Sequence, residues 1–447
     1  MCDVLVALPD ATKNGSILFG KNSDRPVGEC QVLHFSPAGR YKVLECSYIN
    51  LSLDKNHMAT MGCRPYWCWG YETGMNEAGV IGGNTAVFTR GSVEDKSYKK
   101  PGLTGMELLR LGLSLGESAE EAVNIIIEFL ERHGQWGSAV QGKGHKEGSY
   151  DNAYLLVDRN EEAWVLETAG KRWVAERVEN GVRSISNELT IRSDWTKSSE
   201  DIKEHAFKKR WWNPDRGNFN FALAYSDHEN YSRQVSHIRL MRSRQLLQEY
   251  RGTIDVAVIM RILRDHYEGT FLEGPQFHQF LPDFHTICMH NSPSGFTWGN
   301  TATSMVIELN PDEEGLPPLW VCYLPPCVGI YNAYPFSENL PDMVTNPGKS
   351  GLKVWKAQEA PEDTFDEGSL WWRFNRILEG VLIDPDNRVH ELRRLLGHIE
   401  ENNIIATTSI MSKPPDTRED KLLSFAQKEV EAVLKALSLL EERWRLS

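Results

Sequence analysis

"MCDVLVALPDATKNGSILFGKNSDRP" (residues 1–26) is the stretch whose reading decides the fold. Two strand-like apolar runs, "VLVAL" (4–8) and "SILFG" (16–20), flank "PDATKNG" (9–15). That insert holds Pro, Asp, Asn and Gly, residues that favour turns for separate conformational reasons. The spacing predicts an antiparallel hairpin centred near residue 12, with Cys2 opposite roughly residue 22. "KNSDRP" (21–26) then lies beside the amino terminus.

Cys2 has two readings. In the first it is a small hydrophobe at the start of a buried strand. In the second, the initiator Met is removed, as is common before a small residue, and only Met1 has to go. Cys2 then carries a thiol and a free α-amine whose ordinary pKa of about 8 suits a general base. A neighbouring cation, Lys21 or Arg25, favours the thiolate, and Asp24 can orient the ammonium.

Further along, "WCWGYETGMNEAGVIGGNTAV" (67–87) reads as strand, tight turn at "NEAG", and strand ending at Asn84. "TGMELLRLGLSL" (104–115) and "SAEEAVNIIIEFLERHG" (118–134) are helical by spacing, the second with a Ser118/Glu121 capping box and Gly134 at its stop. A four-strand meander follows at 153–158, 163–168, 172–178 and 182–186, with "ENG" (179–181) as its last hairpin turn and Asn187 at its end. Helices are expected over 234–250 and 253–266, and strands over 301–309 and 318–324. Strands and helices in separate runs, with antiparallel hairpins, make the class α+β.

Residues 336–367, rich in Pro, Asp, Glu and Asn, read as a linker or surface excursion after a first domain of 1–335. Helical spacing resumes over 368–447. Two uses are open to that helical extension: building a homo-oligomer or shaping the pocket.

The formal net charge of −13 leaves no basic excess for neutralising phosphates, so nucleic acid is not an expected partner. No run reaches the ~18 apolar residues of a membrane span, and the amino end has no signal-peptide pattern. A cytoplasmic location is expected. Eight cysteines among 447 residues are too sparse for a disulfide scaffold.

Other motifs are weaker. "PGKSG" (347–351) has Met343 where a phosphate-binding loop needs glycine. "GKGHKEG" (142–148) misses dinucleotide spacing. "HTICMH" (285–290) offers His285, Cys288 and His290, but a metal needs further ligands; a structural pair is the expectation there. No metal or organic cofactor is expected.

"CDVLVALPDAT" and "GSILFGKNSDRP" resemble the amino terminus of secernins and of related dipeptidase-A-type cysteine peptidases, which are N-terminal nucleophile (Ntn) hydrolases. "GMNEAGVIGGNTAV", "LETAGKRWVAERV", "VRSISNELTI" and "TATSMVIEL" extend the resemblance in the same order over roughly residues 2–330. It implies a four-layer αββα sandwich with Cys2 as nucleophile. It also implies site roles for Lys21, Asp24, Asn84, Asn187 and Arg239, with Arg242 close to the last in the same helix. Related acylases carry arginine where Lys21 stands; lysine keeps the charge and loses the planar fork. The implied activity is cysteine-type amide hydrolysis of a small peptide. The alternatives are an acylase or acyltransferase on non-peptide amides, or a regulatory protein without turnover.

Overall fold

The computed structural model describes residues 1–91, 100–145, 147, 149–232, 236–273, 285–292, 295, 297 and 299–446. In chain order the first strands are β1 (Cys2–Ala7), β2 (Ile17–Pro26), β3 (Gln31–Ser36), β4 (Gly39–Glu45), β5 (Asn50–His57), β6 (Thr60–Pro65), β7 (Thr73–Asn76) and β8 (Ile81–Val87). Then come α1 (Gly105–Leu115), α2 (Ala119–His133), β9 (Asp151–Val157), β10 (Ala163–Ala169), β11 (Arg172–Val178), β12 (Val182–Ile185) and β13 (Lys197–Ser198). After two short helices follow α3 (His237–Glu249), α4 (Val256–Leu263), β14 (Gly299–Leu309), β15 (Leu319–Tyr323) and β16 (Asn332–Tyr334). The chain closes with α5 (Leu370–Ile383), α6 (Pro385–Met411) and α7 (Arg418–Trp444).

One six-stranded sheet has the order β12-β1-β2-β14-β15-β16. An eight-stranded sheet runs β13-β11-β10-β9-β8-β7-β6-β3, and β4-β5 forms a separate hairpin. The sheets bury their inner faces against each other through Val4, Val6 and Phe19 on one side and Leu155, Val157 and Val165 on the other. Helices α1 and α2 cover the outer face of the larger sheet, with Leu109 and Ile126 against Leu156 and Leu166. Helices α3 and α4 cover the smaller one, with Leu247 and Ile259 against Leu5, Leu18 and Val306. This is the αββα sandwich, and alternating side chains explain it: each strand of the two sheets has one face for the middle core and one for a helix layer.

The opening hairpin forms, with Cys2 opposite Ser23 and Val4 opposite Lys21. Its loop bends at Pro9–Ala11 and at Gly15, whose φ of 75° suits glycine. The predicted four-strand meander is corrected. Three strands stay in the eight-stranded sheet, but β12 crosses to the other sheet and pairs antiparallel with β1, Val4 opposite Ile185. "ENG" is therefore a corner rather than a hairpin turn. Gly181 has φ 79°, donates its N–H to Asp10 Oδ1 at 2.6 Å, and accepts from Leu8 N at 2.8 Å. Those bonds attach the corner to the β1–β2 loop, and β12 continues as the partner that β1 would otherwise lack.

The capping box also moves. Thr104 and Glu107 form the reciprocal pair at α1. At α2, Ser118 Oγ accepts from Glu121 N at 3.2 Å, while the Glu121 carboxylate turns to Glu117 N.

Residues 336–367 lie along the sandwich: Lys353 N and Trp355 N donate to the carbonyls of Tyr66 and Trp67 at 3.0 and 2.8 Å. Helices α5 to α7 share the middle core through Trp371, Leu392 and Leu437. Trp371 Nε1 donates to Ala302 O at 2.9 Å, and Arg264 pairs with Glu400 at 2.8 Å.

Candidate active site

Cys2 begins β1 and is 5% exposed. Lys21, from β2, crosses to it: Nζ lies 3.7 Å from Cys2 Sγ and donates to Ser23 Oγ at 2.8 Å and Glu72 Oε2 at 2.9 Å. Glu72 stands just before β7 and its Oε2 is 3.9 Å from the thiol. Arg25 reaches the other Glu72 oxygen at 3.3 Å and pairs with Glu29 at 2.6 Å. These buried groups make two cations and two carboxylates, so they offer a thiolate no net positive charge. Burial pushes the Cys2 thiol above its ordinary value; Lys21 pulls it down and Glu72 pushes it back up. Burial opposes the Glu72 charge, yet Lys21 and Arg25 hold its carboxyl below the usual range. Burial and the Glu72 charge thus favour the neutral Cys2 thiol over the thiolate.

On the other side of Cys2, its backbone nitrogen donates to Asn187 Oδ1 at 3.1 Å. Arg239, fully buried on α3, donates to that same oxygen at 2.6 Å, to the Cys2 carbonyl at 3.4 Å, and to Asp3 Oδ2. Asp24 Oδ2 lies 3.9 Å from Arg239, and Thr301 Oγ1 donates to Asp24 Oδ1 at 2.7 Å. Asp3 and Asp24 outnumber Arg239, which leaves a place for one further positive charge, such as an ammonium at this chain end. Burial raises the Asp24 carboxyl to about 6, against the pull of the amino terminus and Arg239. Met1 continues the strand pairing, its amine donating to Asp24 O at 2.9 Å and its carbonyl accepting from Asp24 N at 2.7 Å.

The five residues singled out in the sequence besides Cys2, namely Lys21, Asp24, Asn84, Asn187 and Arg239, lie around it or around its immediate partners. Asn84, in β8, is reached through Glu72: with its amide nitrogen turned toward that residue it donates to Glu72 Oε2 at 3.1 Å and to Glu72 O at 3.2 Å. Arg242 points elsewhere and pairs with Asp265 at 2.7 Å, so Arg239 is the arginine at the site. Asn187 differs from an oxyanion donor, because its Nδ2 is taken by Ala86 O at 2.7 Å and its Oδ1 faces Cys2.

The sequence reading missed Glu72 and Asp3. Glu72 is a lone acid in the aromatic run "YWCWGYETGM", and a charge inside an apolar run that becomes buried demands a partner. Asp3 had no such signal.

A cavity of about 50 Å³ beside the site is lined by Phe88, Asn187, Leu189, Asp227 and Tyr231, among others. Two larger cavities, of about 630 and 870 Å³, have none of the Cys2 constellation in their walls. The chemistry points to the small one, which contains Asn187.

The αββα sandwich with a cysteine opening an inner strand is the arrangement that the sequence resemblance to N-terminal nucleophile hydrolases implies. Residues 68–276, a little under half of the chain, match the model of peptidase family C69. The match contains Glu72, Asn84, Asn187 and Arg239 and begins after Cys2. A probable dipeptidase of Salmonella dublin is 24% identical over 306 residues, covering 60% of this chain and 67% of the relative. Among solved structures, a C2A mutant of conjugated bile acid hydrolase from Clostridium perfringens has 15% identity and a TM-score of 0.40, covering 72% of this chain and 89% of that one. Penicillin V acylase from Agrobacterium tumefaciens has 12% identity and a TM-score of 0.41, with 81% and 98% covered.

Proposed function

We propose that this protein is a cysteine dipeptidase of the secernin-like type, with Cys2 as nucleophile once Met1 is removed. The observation that carries the reading is the position of Cys2 between two opposed devices: Lys21 at its sulfur and Asn187 at its nitrogen. In the shortened chain that nitrogen is the α-amine. It takes the thiol proton as sulfur bonds to the substrate carbonyl carbon, giving a tetrahedral oxyanion. It then delivers the proton to the leaving amine as the C–N bond breaks. Water hydrolyses the resulting thioester and restores the thiol.

Asn187, with both amide atoms engaged, anchors the amine. Asn84, whose amide nitrogen faces Glu72, is assigned as the oxyanion donor and exchanges its bond to the Glu72 carboxylate for one to the oxyanion. Lys21 steadies the developing thiolate charge, Asp24 supplies negative charge for the ammonium, and Arg239 orients Asn187 and the Cys2 carbonyl. The family match and the dipeptidase relative support a small peptide as substrate. The eight cysteines are buried and none is joined in a disulfide, which supports a reducing, cytoplasmic setting. Among the described residues no helix is long and apolar enough to cross a membrane.

Purified protein should hydrolyse members of a dipeptide panel and show an intact mass lacking Met1. Turnover confined to N-acyl amides would move the assignment to an acylase. Alkylation of Cys2 with no turnover on either panel would favour a regulatory role.

A further inference from the structure

Away from Cys2, four side chains that ligate metals converge in the interior. His266 follows α4, Cys288 and His290 lie in the segment 285–292, and Cys327 lies between β15 and β16. Their nearest ligand atoms all fall within 4.8 Å of one another, and each residue is at most 5% exposed. His266 Nε2 is 3.3 Å from His290 Nε2, which is itself 3.1 Å from Cys327 Sγ and 3.7 Å from Cys288 Sγ. One imidazole nitrogen carries at most one proton, so it cannot donate to three neighbours at once. A cation at the centre of the four uses every lone pair.

The three separations from His290 Nε2 lie near those around such a cation. For zinc bonded to nitrogen and sulfur at ordinary lengths, a tetrahedron has edges of about 3.3 Å between nitrogens and about 3.6 Å between nitrogen and sulfur. His266 also shows the outer support expected of a ligand. Its Nδ1 lies 3.0 Å from Glu268 Oε1, so an Nδ1–H donating there leaves the Nε2 lone pair facing the cluster. We infer that His266, Cys288, His290 and Cys327 form a structural zinc site. Two thiolates neutralise the dication, which suits a buried place, and the soft sulfur ligands disfavour magnesium or calcium. Four protein ligands close the coordination shell, so the ion holds structure rather than activating water.

What it would hold is visible. Met289, between two ligands, exchanges hydrogen bonds with Thr301: its N–H donates to Thr301 Oγ1 at 3.0 Å, and Thr301 N donates to its carbonyl at 3.0 Å. Thr301 Oγ1 in turn donates to Asp24. Asn22 Nδ2 bridges the carbonyls of Leu263 and Ile287, both at 2.8 Å. The ion thus clamps the end of α4, the 285–292 segment and the β15–β16 connection behind the strand that carries Asp24. The "HTICMH" motif contributes Cys288 and His290, its missing ligands come from 24 and 37 residues away, and His285 lies outside the cluster.

Elemental analysis of the full-length protein, purified without chelators, tests this independently of any hydrolase activity. The expected content is about one zinc per chain, retained through desalting and lost in a Cys288→Ser/Cys327→Ser variant. Because that variant can fail to fold, cobalt replacement in the unaltered protein is the second measurement; it should give the ligand-field absorption of a tetrahedral thiolate site. Substoichiometric zinc even after incubation with zinc sulfate overturns the inference. So does a Cys288–Cys327 disulfide in the intact mass, zinc retained by the folded double variant, or an octahedral cobalt spectrum.

Discussion

The Cys2 backbone nitrogen donates to Asn187 Oδ1 at 3.1 Å, and Asn187 reaches that place only because β12 leaves its neighbours and pairs with β1. The same oxygen accepts from Arg239. An amine generated at Cys2 therefore starts with an acceptor in place, oriented by a buried cation on a separate helix.

Cys2→Ala should cut dipeptide hydrolysis by at least about 10³-fold, as expected when the nucleophile of a covalent mechanism is removed. Far-UV circular dichroism and melting temperature should stay close to wild type, since the change is a small one at a strand end. Full activity in the variant sinks the scheme, as does a retained Met1 on fully active protein.

Glu72 and Lys21 should move the Cys2 thiol in opposite directions. Glu72→Gln removes an anion 3.9 Å from the sulfur and is expected to lower the thiol pKa. Lys21→Met removes the cation and should raise it. The pH dependence of iodoacetamide alkylation at Cys2 reads both. Lys21→Met also takes from buried Glu72 the nearer of its two salt-bridge cations and leaves Arg25, at a cost of about 3–5 kcal/mol in urea unfolding. Parallel shifts in the two variants would show that charge at this pair does not govern the thiol.

Asp24 should impress a pH dependence on stability. Its folded-state carboxyl, at about 6, lies above its ordinary value of 3.8. A raised folded pKa contributes stability that is full below the unfolded value and lost as pH climbs through the folded one. Relative to Asp24→Asn, the wild type is thus expected to lose roughly 2 kcal/mol between pH ~4 and pH ~7. Urea titrations of both proteins at the two pH values give the difference. A constant difference across that range contradicts the expectation.

Arg239 and Arg242 should separate cleanly. Arg239→Lys loses the fork that spans Asp3, Asn187 and the Cys2 carbonyl, and misplacing the amine should lower kcat/KM by roughly 10²-fold. Arg242→Lys alters the pair with Asp265 and the bonds to Glu268 O and Gln245 Oε1, none of which reaches Cys2, and should leave kcat/KM within about threefold. Equal losses would place Arg242 in the machinery as well.

Much of this was local enough to be legible in the sequence. Two apolar runs around a Pro/Asp/Asn/Gly turn determined the β1–β2 hairpin, and the hairpin alone sets Lys21 and Asp24 beside Cys2, because antiparallel register follows from where the loop falls. Helical spacing and a terminal glycine gave α2. Tertiary structure decided the rest. Nothing in "ENGVRSIS" distinguishes a fourth meander strand from one that crosses to the other sheet, since both bury the same alternating residues. That crossing brings Asn187 to the amine. Glu72 became a partner of Lys21 only when two sheets stacked, and Cys288 and His290 met His266 and Cys327 only when α4 and the β15–β16 connection closed over the same core. Short-range pattern fixes neighbours along a strand; long-range packing chooses which buried charges and ligands face one another.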